Sequence, residues 1–526
     1  MNNDCLEKQN KPNIALEMKQ EKPNILIFMT DHQRADMAPP FKRATTPNLD
    51  AFYTDAIAFT RTYCPAPHCC PSRATFFSGL YPSQHGVWNN VNVGNSLSRG
   101  LTDGVRLWSE DLKAAGYHLY FSGKWHVSNE EGPEDRGFEV TYSDGQYTRT
   151  TGRPKPLVKE WKHYTEGVTC KVGVSDKAAD GITCKVGIRD KADGTIDRPG
   201  YPPYHQYGLS DNPFKDTSKV ESAIKSIMER KPSNSPWCHY VGTLGPHDPY
   251  DVPQEFLDMY RLEDIHLPEN FYDDMMDKPA FYRRTKDIYS QLSDEEHKKS
   301  IQHYLAFCSY EDHLFGRLLQ ALKDTDALKN TIIVYTSDHG DYCGEHGLWA
   351  KGLPCFEGAY HVPLLVKHPK YTVRKADTSN PANEHNIDAF VSLADFAPTI
   401  LEMAGVHTGR CFAGKSLMPF IKGEKPDEWR DTLFTQTNGN ELYGIQRSVR
   451  TKEWKYVYNG FDYDELYNLI EDPYEMVNVI KTPDNKEVIK DMCKRMWQFA
   501  YENDDVCVNP YIMTAQVPFG PGIIFE

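Results

Sequence analysis

The chain has 526 residues, a formal net charge of −15, 39% hydrophobic and 12% aromatic residues. That composition suits a folded globular protein with room for a large core and an appended module, and excludes a largely disordered chain. The acidic balance excludes a broad basic face for nucleic acid or an anionic membrane, so an anionic ligand has to be held by a few local cations. Residues 1–21 are polar, lack the charged start, apolar stretch and cleavage site of a secretory leader, and read as a tail; the expected location is cytoplasmic. From Lys22 onward short apolar, β-branched runs alternate with amphipathic stretches. NILIFMT (24–30), YHLYFS (117–122), CHYVGTL (238–244), TIIVYTS (331–337) and VPLLVKH (362–368) read as strands, and VESAIKSIMER (220–230), residues 303–324 and LADFAPTILEMAG (393–405) as helices. Buried strands alternating with helices predict an α/β fold with a doubly wound, parallel sheet.

Residues 145–217 break this pattern and hold a near-duplication, GVTCKVGVSDKAAD (167–180) followed by GITCKVGIRDKADG (181–194). Two copies are too few for a solenoid; a surface hairpin insertion is expected, in preference to a metal role for Cys170 and Cys184. After about residue 420 the texture changes, and residues 421–526 are expected to form a smaller C-terminal antiparallel-sheet subdomain beside a catalytic unit of residues 22–420. The closing QVPFGPGIIFE suits packing on a neighbouring subunit, an expected route to a homo-oligomer. No run reaches the ~20 apolar residues of a membrane span. The 13 cysteines, odd in number and scattered, read as reduced thiols that mostly fill the core.

In open parallel sheets ligands sit outside the carboxyl ends of the strands. Four strands here run into titratable residues: Asp31-His32, Gly123-Lys124-Trp125-His126, Gly245-Pro246-His247-Asp248 and Asp338-His339-Gly340-Asp341. Asp31, Asp338 and His339, with His32, make a candidate divalent-cation site, where oxygen donors suit Ca²⁺ or Mg²⁺ and imidazole admits Mn²⁺ or Zn²⁺. Arg73, Lys124, His126, His247 and Lys351 are local cations able to hold a small anion. In CPAPHCCPSRATFFSG (64–79), Pro71-Ser72 reads as a helix start with Phe76 and Phe77 facing the core, which puts Cys69 and Cys70 at a positive helix N-terminus. A zinc knuckle from Cys64, His68, Cys69 and Cys70 is disfavoured by adjacent cysteines with no second pair.

Cys69-Cys70-Pro71-Ser72-Arg73 matches the C-x-P-S-R signature of the type I sulfatases of the alkaline phosphatase superfamily, and residues 116–126, ending in Gly-Lys-Trp-His, resemble their second signature. The resemblance extends through Thr46-Pro47-Asn48-Leu49-Asp50, Pro246-His247-Asp248-Pro249-Tyr250, residues 337–352 and ELYNLIEDPYE (465–475). It implies an alkaline-phosphatase-like, mostly parallel sheet and conversion of Cys69 to formylglycine by a formylglycine-generating or anaerobic sulfatase-maturating enzyme. It further implies a covalent sulfo-enzyme formed through the formylglycine hydrate, and a metal held by Asp31, Asp338, His339 and Cys69, with Ca²⁺ ahead of Mn²⁺ and with His32 where relatives carry an acidic ligand. By the same resemblance Lys124 and Lys351 neutralise the sulfate oxygens, Arg73 fixes the hydrate, His247 is the general acid and His126 the base. The expected substrate is a small sulfated molecule, a carbohydrate first, gripped by Trp88, Asn89, Asn90, residues 145–217 and Glu357–His361. The competing readings are a formylglycine-dependent phosphonate monoester or phosphodiester hydrolase, and a silent binding module whose Cys69 stays a thiol.

Overall fold

The computed structural model describes residues 22–145, 147, 192–198, 202–230, 235–371, 385–440, 442–505 and 517–526. The N-terminal tail and residues 167–191, with Cys170 and Cys184, lie outside the described residues.

Among the described residues twelve strands precede residue 393: β1 (Asn24–Thr30), β2 (Ile57–Tyr63), β3 (His118–Gly123), β4 (Glu139–Ser143), β5 (Thr195–Ile196), β6 (Tyr204–His205), β7 (Tyr207–Leu209), β8 (Trp237–Gly242), β9 (Tyr250–Val252), β10 (Thr331–Ser337), β11 (Leu364–Lys367) and β12 (Asn386–Ser392). Eight of them form one sheet in the order β12-β2-β11-β10-β1-β8-β3-β4. All its pairings are parallel except those of β11, which runs antiparallel to both β10 and β2. The period-two alternation of β1 explains its place at the centre. Ile25, Ile27 and Met29 enter one core, against Phe76, Phe77, Phe396 and Ile400, while Leu26 and Phe28 enter the other, against Val220, Ile227, Leu314 and Phe315. Helices Cys69–Ser78 and Phe396–Met403 therefore cover one face, and Asp216–Met228 and the 31-residue Asp294–Asp324 cover the other. That two-faced cover makes the sheet doubly wound.

The expected strands all appear, but β2, β4 and β12 were not foreseen. Their sequences interrupt the apolar run with Arg61, Thr141 and Asp388, and Arg61 and Asp388 pair with each other across β2 and β12. The helix expected over 303–324 begins at Asp294, where Ser293 and Glu296 form a reciprocal cap: the Ser293 amide donates to Glu296 Oε2 (2.7 Å) and the Glu296 amide to Ser293 Oγ (3.3 Å).

A second sheet, β13 (Leu433–Gly439), β14 (Tyr443–Arg450), β15 (Trp454–Asn459) and β16 (Glu465–Asn468), is antiparallel throughout, and helix Lys486–Glu502 packs on it through Met492, Met496 and Trp497. The closing tail lies on this same helix: Val517 and Ile523 are buried, and Trp497 Nε1 donates to the Phe519 carbonyl (2.7 Å). Among the described residues no helix is long and apolar enough to cross a membrane, and nine cysteines are free thiols, eight of them buried.

Candidate active site

The carboxyl ends of β1, β3, β8 and β10 meet at one edge. β1 runs directly into Asp31 and His32, β3 into Lys124 and His126, and β10 into Asp338 and His339; β8 reaches His247 through a short turn. Cys69 is the first residue of its helix, with Pro71 in the first turn, and Phe76 and Phe77 fully buried beneath it. Its sulfur is the meeting point. Cys69 Sγ lies 3.3 Å from His339 Nε2, 3.4 Å from Lys351 Nζ and 3.6 Å from Asp31 Oδ1. Lys124 Nζ donates to Asp31 Oδ2, and Lys351 Nζ contacts His32 Nε2 and stands 3.3 Å from His247 Nε2. His32 and His126 both adopt the left-handed backbone region, φ 67° and 50°, a conformation costing a non-glycine residue about 1–2 kcal/mol. The fold holds both against that cost at the point where their rings face the site.

The candidate catalytic and metal residues Asp31, His32, Cys69, Arg73, Lys124, His126, His247, Asp338, His339 and Lys351 lie at this edge, with differences in task, whereas Glu357, expected to grip the substrate, pairs with Tyr63 and Arg450 instead. Arg73 is fully buried and turned to the carboxylates. Its Nε donates to Asp338 Oδ2 (2.7 Å), Nη1 to the Lys124 carbonyl (3.1 Å) and the Tyr240 hydroxyl (2.9 Å), and Nη2 stands 3.7 Å from Asp31. It thus ties β1, β3, β8 and β10 together. Asp31, His32, Cys69 and His339 offer ligand atoms that all lie within 4.8 Å of one another. A carboxylate, two imidazoles and the Cys69 position form a donor set that fits a divalent cation. Asp338 stands beside this group, its oxygens accepting from Arg73 and from the His339 amide (2.9 Å). Cys64, His68 and Cys70 do not join: Cys64 Sγ faces the Ala359 carbonyl, and burial holds His68 neutral, down to about 3. No zinc knuckle forms among the described residues.

The electrostatics follow from the convergence. Burial pushes the Cys69 thiol up, but Lys124, Lys351 and His339 outweigh it and hold the thiol well below its ordinary value. Burial and Cys69 push the Asp31 carboxyl up, and Lys124, His247 and His32 pull it down further, leaving it an anion. Burial and the neighbouring Lys124 hold His126 down to about 4. His247 goes the other way: burial and Lys351 lower it, but Asp248 and Cys69 raise it above the usual imidazole value. The surroundings thus move the two histidines in opposite directions.

Several residues of the site had not been singled out. Asp341 is buried, its Oδ2 lies 3.1 Å from His32 Nδ1 and accepts from the Tyr250 hydroxyl (2.7 Å), and its Oδ1 accepts the amides of Cys343 (2.8 Å) and Ala350 (3.1 Å). It therefore orients His32 and anchors the loop that ends in Lys351; burial pushes it up to about 7. The Asp-His-Gly-Asp run at the end of β10 displays it, yet only the folded return of that loop reveals what it touches. Asp216, at the start of its helix, accepts the amides of Leu244 (3.0 Å) and Gly245 (2.8 Å), and the Gly245 carbonyl in turn accepts the Asp31 amide (3.1 Å), so the turn before His247 is fixed to β1. Nothing in the sequence around Asp216 signals this.

The chain matches the sulfatase family model over residues 23–406, and a model described as N-sulphoglucosamine sulphohydrolase, C-terminal, over residues 344–502. It is similar to the choline-sulfatase of Rhizobium meliloti (strain 1021), 29% identical over 484 residues, covering 88% of this chain and 83% of that protein. It also resembles the N-acetylglucosamine-6-O-sulfatase of Bacteroides thetaiotaomicron, 26% identical over 487 residues, 87% of this chain and 83% of that protein. Among solved structures, the phosphonate monoester hydrolase of Agrobacterium radiobacter superposes with a TM-score of 0.70 at 22% identity, covering 92% of this chain and 96% of that one. Fold and site together define a hydrolase with the alkaline-phosphatase-like architecture. The chain belongs to the sulfatase family of the alkaline phosphatase superfamily and is a sulfuric ester hydrolase.

Proposed function

We propose that the enzyme removes sulfate from a small sulfated substrate, a carbohydrate first, using Cys69 after its conversion to formylglycine. The observation that carries this reading is the position of Cys69 Sγ, on the first turn of a buried helix and within 3.6 Å of a carboxylate, an imidazole and an ammonium group. Converted to an aldehyde hydrate, Cys69 offers one hydroxyl to attack sulfur and a second to expel the sulfate, so no water has to attack a stable ester. Asp31, His32, His339 and the converted Cys69, with Asp338 beside them, would hold a divalent cation, which would supply Lewis-acid polarisation when bound; the carboxylates admit Ca²⁺ and the two imidazoles Mn²⁺.

The side chains divide the remaining work. Lys124 and Lys351 neutralise sulfate oxygens, and Arg73 holds the carboxylates in place. His247, whose value Asp248 raises, gives its proton to the leaving alcohol; His126, which burial and Lys124 hold down, takes the proton that drives elimination. The names of the two curated relatives carry choline and N-acetylglucosamine; the Asn89 and Asn90 side chains, expected to grip the substrate, are instead buried and bonded to Asn440, Leu97 and Cys70. We place the catalytic unit in residues 22–420 and the accessory one in 421–526. The whole Cys69–Ser78 helix is buried, so the maturating enzyme has to read it before the chain folds. The test is expression with and without that enzyme, with mass spectrometry of the Cys69 peptide and parallel assays on aryl sulfate, sulfated sugars and a phenylphosphonate ester. Sulfate release that tracks conversion is expected. Conversion with hydrolysis of the phosphonate ester alone would overturn the reading in favour of the phosphonate hydrolase.

A further inference from the structure

We infer that Asn440, which follows β13 in the C-terminal sheet, is a positioning residue for the nucleophile helix and for His126; the inference rests on the roles just proposed for Cys69 and His126. Asn440 is 5% exposed. Its Oδ1 accepts the Asn90 amide (2.9 Å), and its carbonyl accepts Asn95 Nδ2 (3.3 Å) and Asn89 Nδ2 (3.5 Å). One residue of the second sheet thus holds three asparagines of the turn that borders the site.

That turn carries the contacts inward. Asn90 Oδ1 accepts the amide of Cys70 (3.1 Å), the residue after the nucleophile, and the Val91 amide faces Cys70 Sγ (3.4 Å). The first-turn amides of a helix need such acceptors, and His68, the residue before the helix, provides no side-chain cap. Two residues beyond Asn90, Asn92 Oδ1 lies 2.9 Å from His126 Nε2, so the amide side chain fixes the imidazole ring and the face it turns to Cys69. An independent contact holds the other end of the turn: the Arg447 guanidinium, from β14, stands 5.0 Å from the centroid of the Trp88 ring and is itself clamped by Asp505 (Nη2 to Oδ1, 3.0 Å). The C-terminal sheet therefore sets the register of residues 88–92 against both the nucleophile and the elimination base. Asn440 touches neither substrate nor reacting atom; it acts through Asn90 and Asn92.

The experiment uses the full-length, converted enzyme and three variants. Asn440→Ala removes the acceptor for the Asn90 amide, Asn440→Asp keeps an oxygen there, and Asn92→Ala, on an exposed position, severs only the contact to His126. For Asn440→Ala we expect kcat to fall about tenfold or more, the range found when outer partners of a site residue are removed, with KM moved less than kcat and the acidic limb of the pH profile displaced. Asn440→Asp should recover most of the rate, and Asn92→Ala should displace the same limb at unchanged Tm. Cys69 conversion and Tm are measured for each. A wild-type rate and pH profile in Asn440→Ala overturns the inference, as does a loss matched by lost conversion or lost folded protein, or an Asn440→Asp variant no better than alanine. Cys69→Ala in the same assays separates the two claims: turnover retained there removes the functional reading itself, whereas a dead Cys69→Ala beside a normal Asn440→Ala removes this inference alone.

Discussion

The catalytic edge of the large sheet and the seam between the two sheets are both buried polar networks, yet they are built differently. In the seam each charge faces a counter-charge. Glu357 accepts from the Tyr63 hydroxyl (2.8 Å) and pairs with Arg450 (2.7 Å), Lys455 pairs with Glu475, and Glu475 Oε2 accepts the Glu357 amide (3.0 Å). Burial pushes Glu357 up, but Arg450 and His361 bring it down to about 2. At the catalytic edge the groups converge on one atom: Lys351, His339 and Asp31 all reach Cys69 Sγ, and Lys124 adds its charge through Asp31. Pairing fastens two elements, whereas convergence prepares one atom for chemistry. The same residue types serve both ends, and their mutual geometry tells them apart.

The contrast can be broken at either end. At the catalytic edge, Cys69→Ala should abolish turnover, by about 10⁴-fold or more as expected for loss of a nucleophile, while Tm falls only a little, because the substitution takes a counter-charge from Lys124, Lys351 and His339 but leaves the core under the helix intact. Sulfate release and a thermal melt on the same sample check both halves. A loss of Tm comparable to a core truncation would show that Cys69 is also a structural residue. At the seam, Arg450→Met should do the reverse. It leaves Glu357, whose side chain is 29% exposed, without its guanidinium but still beside His361 and Tyr63, a change that costs about 1–3 kcal/mol, and the rate per folded molecule should stay at the wild-type level. Denaturant unfolding and active-site-normalised kinetics decide it, and a selective fall in kcat without loss of stability would merge the two networks into one.

The sequence displayed the chemistry of the catalytic edge because parallel strands end where ligands bind, so the residues after NILIFMT, YHLYFS, CHYVGTL and TIIVYTS could be read off as one site. It displayed the central strands because both of their faces are apolar. It hid β12, at the edge, and β2 beside it, where Arg61 and Asp388 pair in the open and so break the apolar run. It hid the antiparallel direction of β11, since burial on both faces looks the same in either direction. The tasks of Arg73, Asp216 and Asp341 were also out of sight. Arg73 reads as an anion binder until its guanidinium is seen spanning Asp338, Lys124 and Tyr240; Asp216 acts on the distant Leu244 and Gly245 amides and Asp341 on the distant His32 and Tyr250 side chains, links that no local motif encodes.

The finest resolution of the convergent network comes from its two titrating histidines. On the roles proposed for them, turnover needs His126 neutral and His247 protonated. On the acid side activity should rise as His126 loses its proton, near pH 4, the value to which burial and Lys124 hold it. On the alkaline side activity should fall as His247 loses its proton; Asp248, which stays in place when Cys69 is converted, raises its value against burial and Lys351. Between those limits lies a plateau. His247→Asn should cost about 10²-fold and remove the alkaline limb while leaving the acid one, with the larger loss on substrates whose leaving alcohol is a poor one. A substrate with an acidic phenol, which leaves without a proton, should recover most of the lost rate. His126→Asn should remove the acid limb and spare the alkaline one, irrespective of the leaving group, because its step follows departure of the alcohol. If the two variants lose the same limb, or if the acidic phenol rescues His126→Asn and not His247→Asn, the acid and base assignments have to be exchanged.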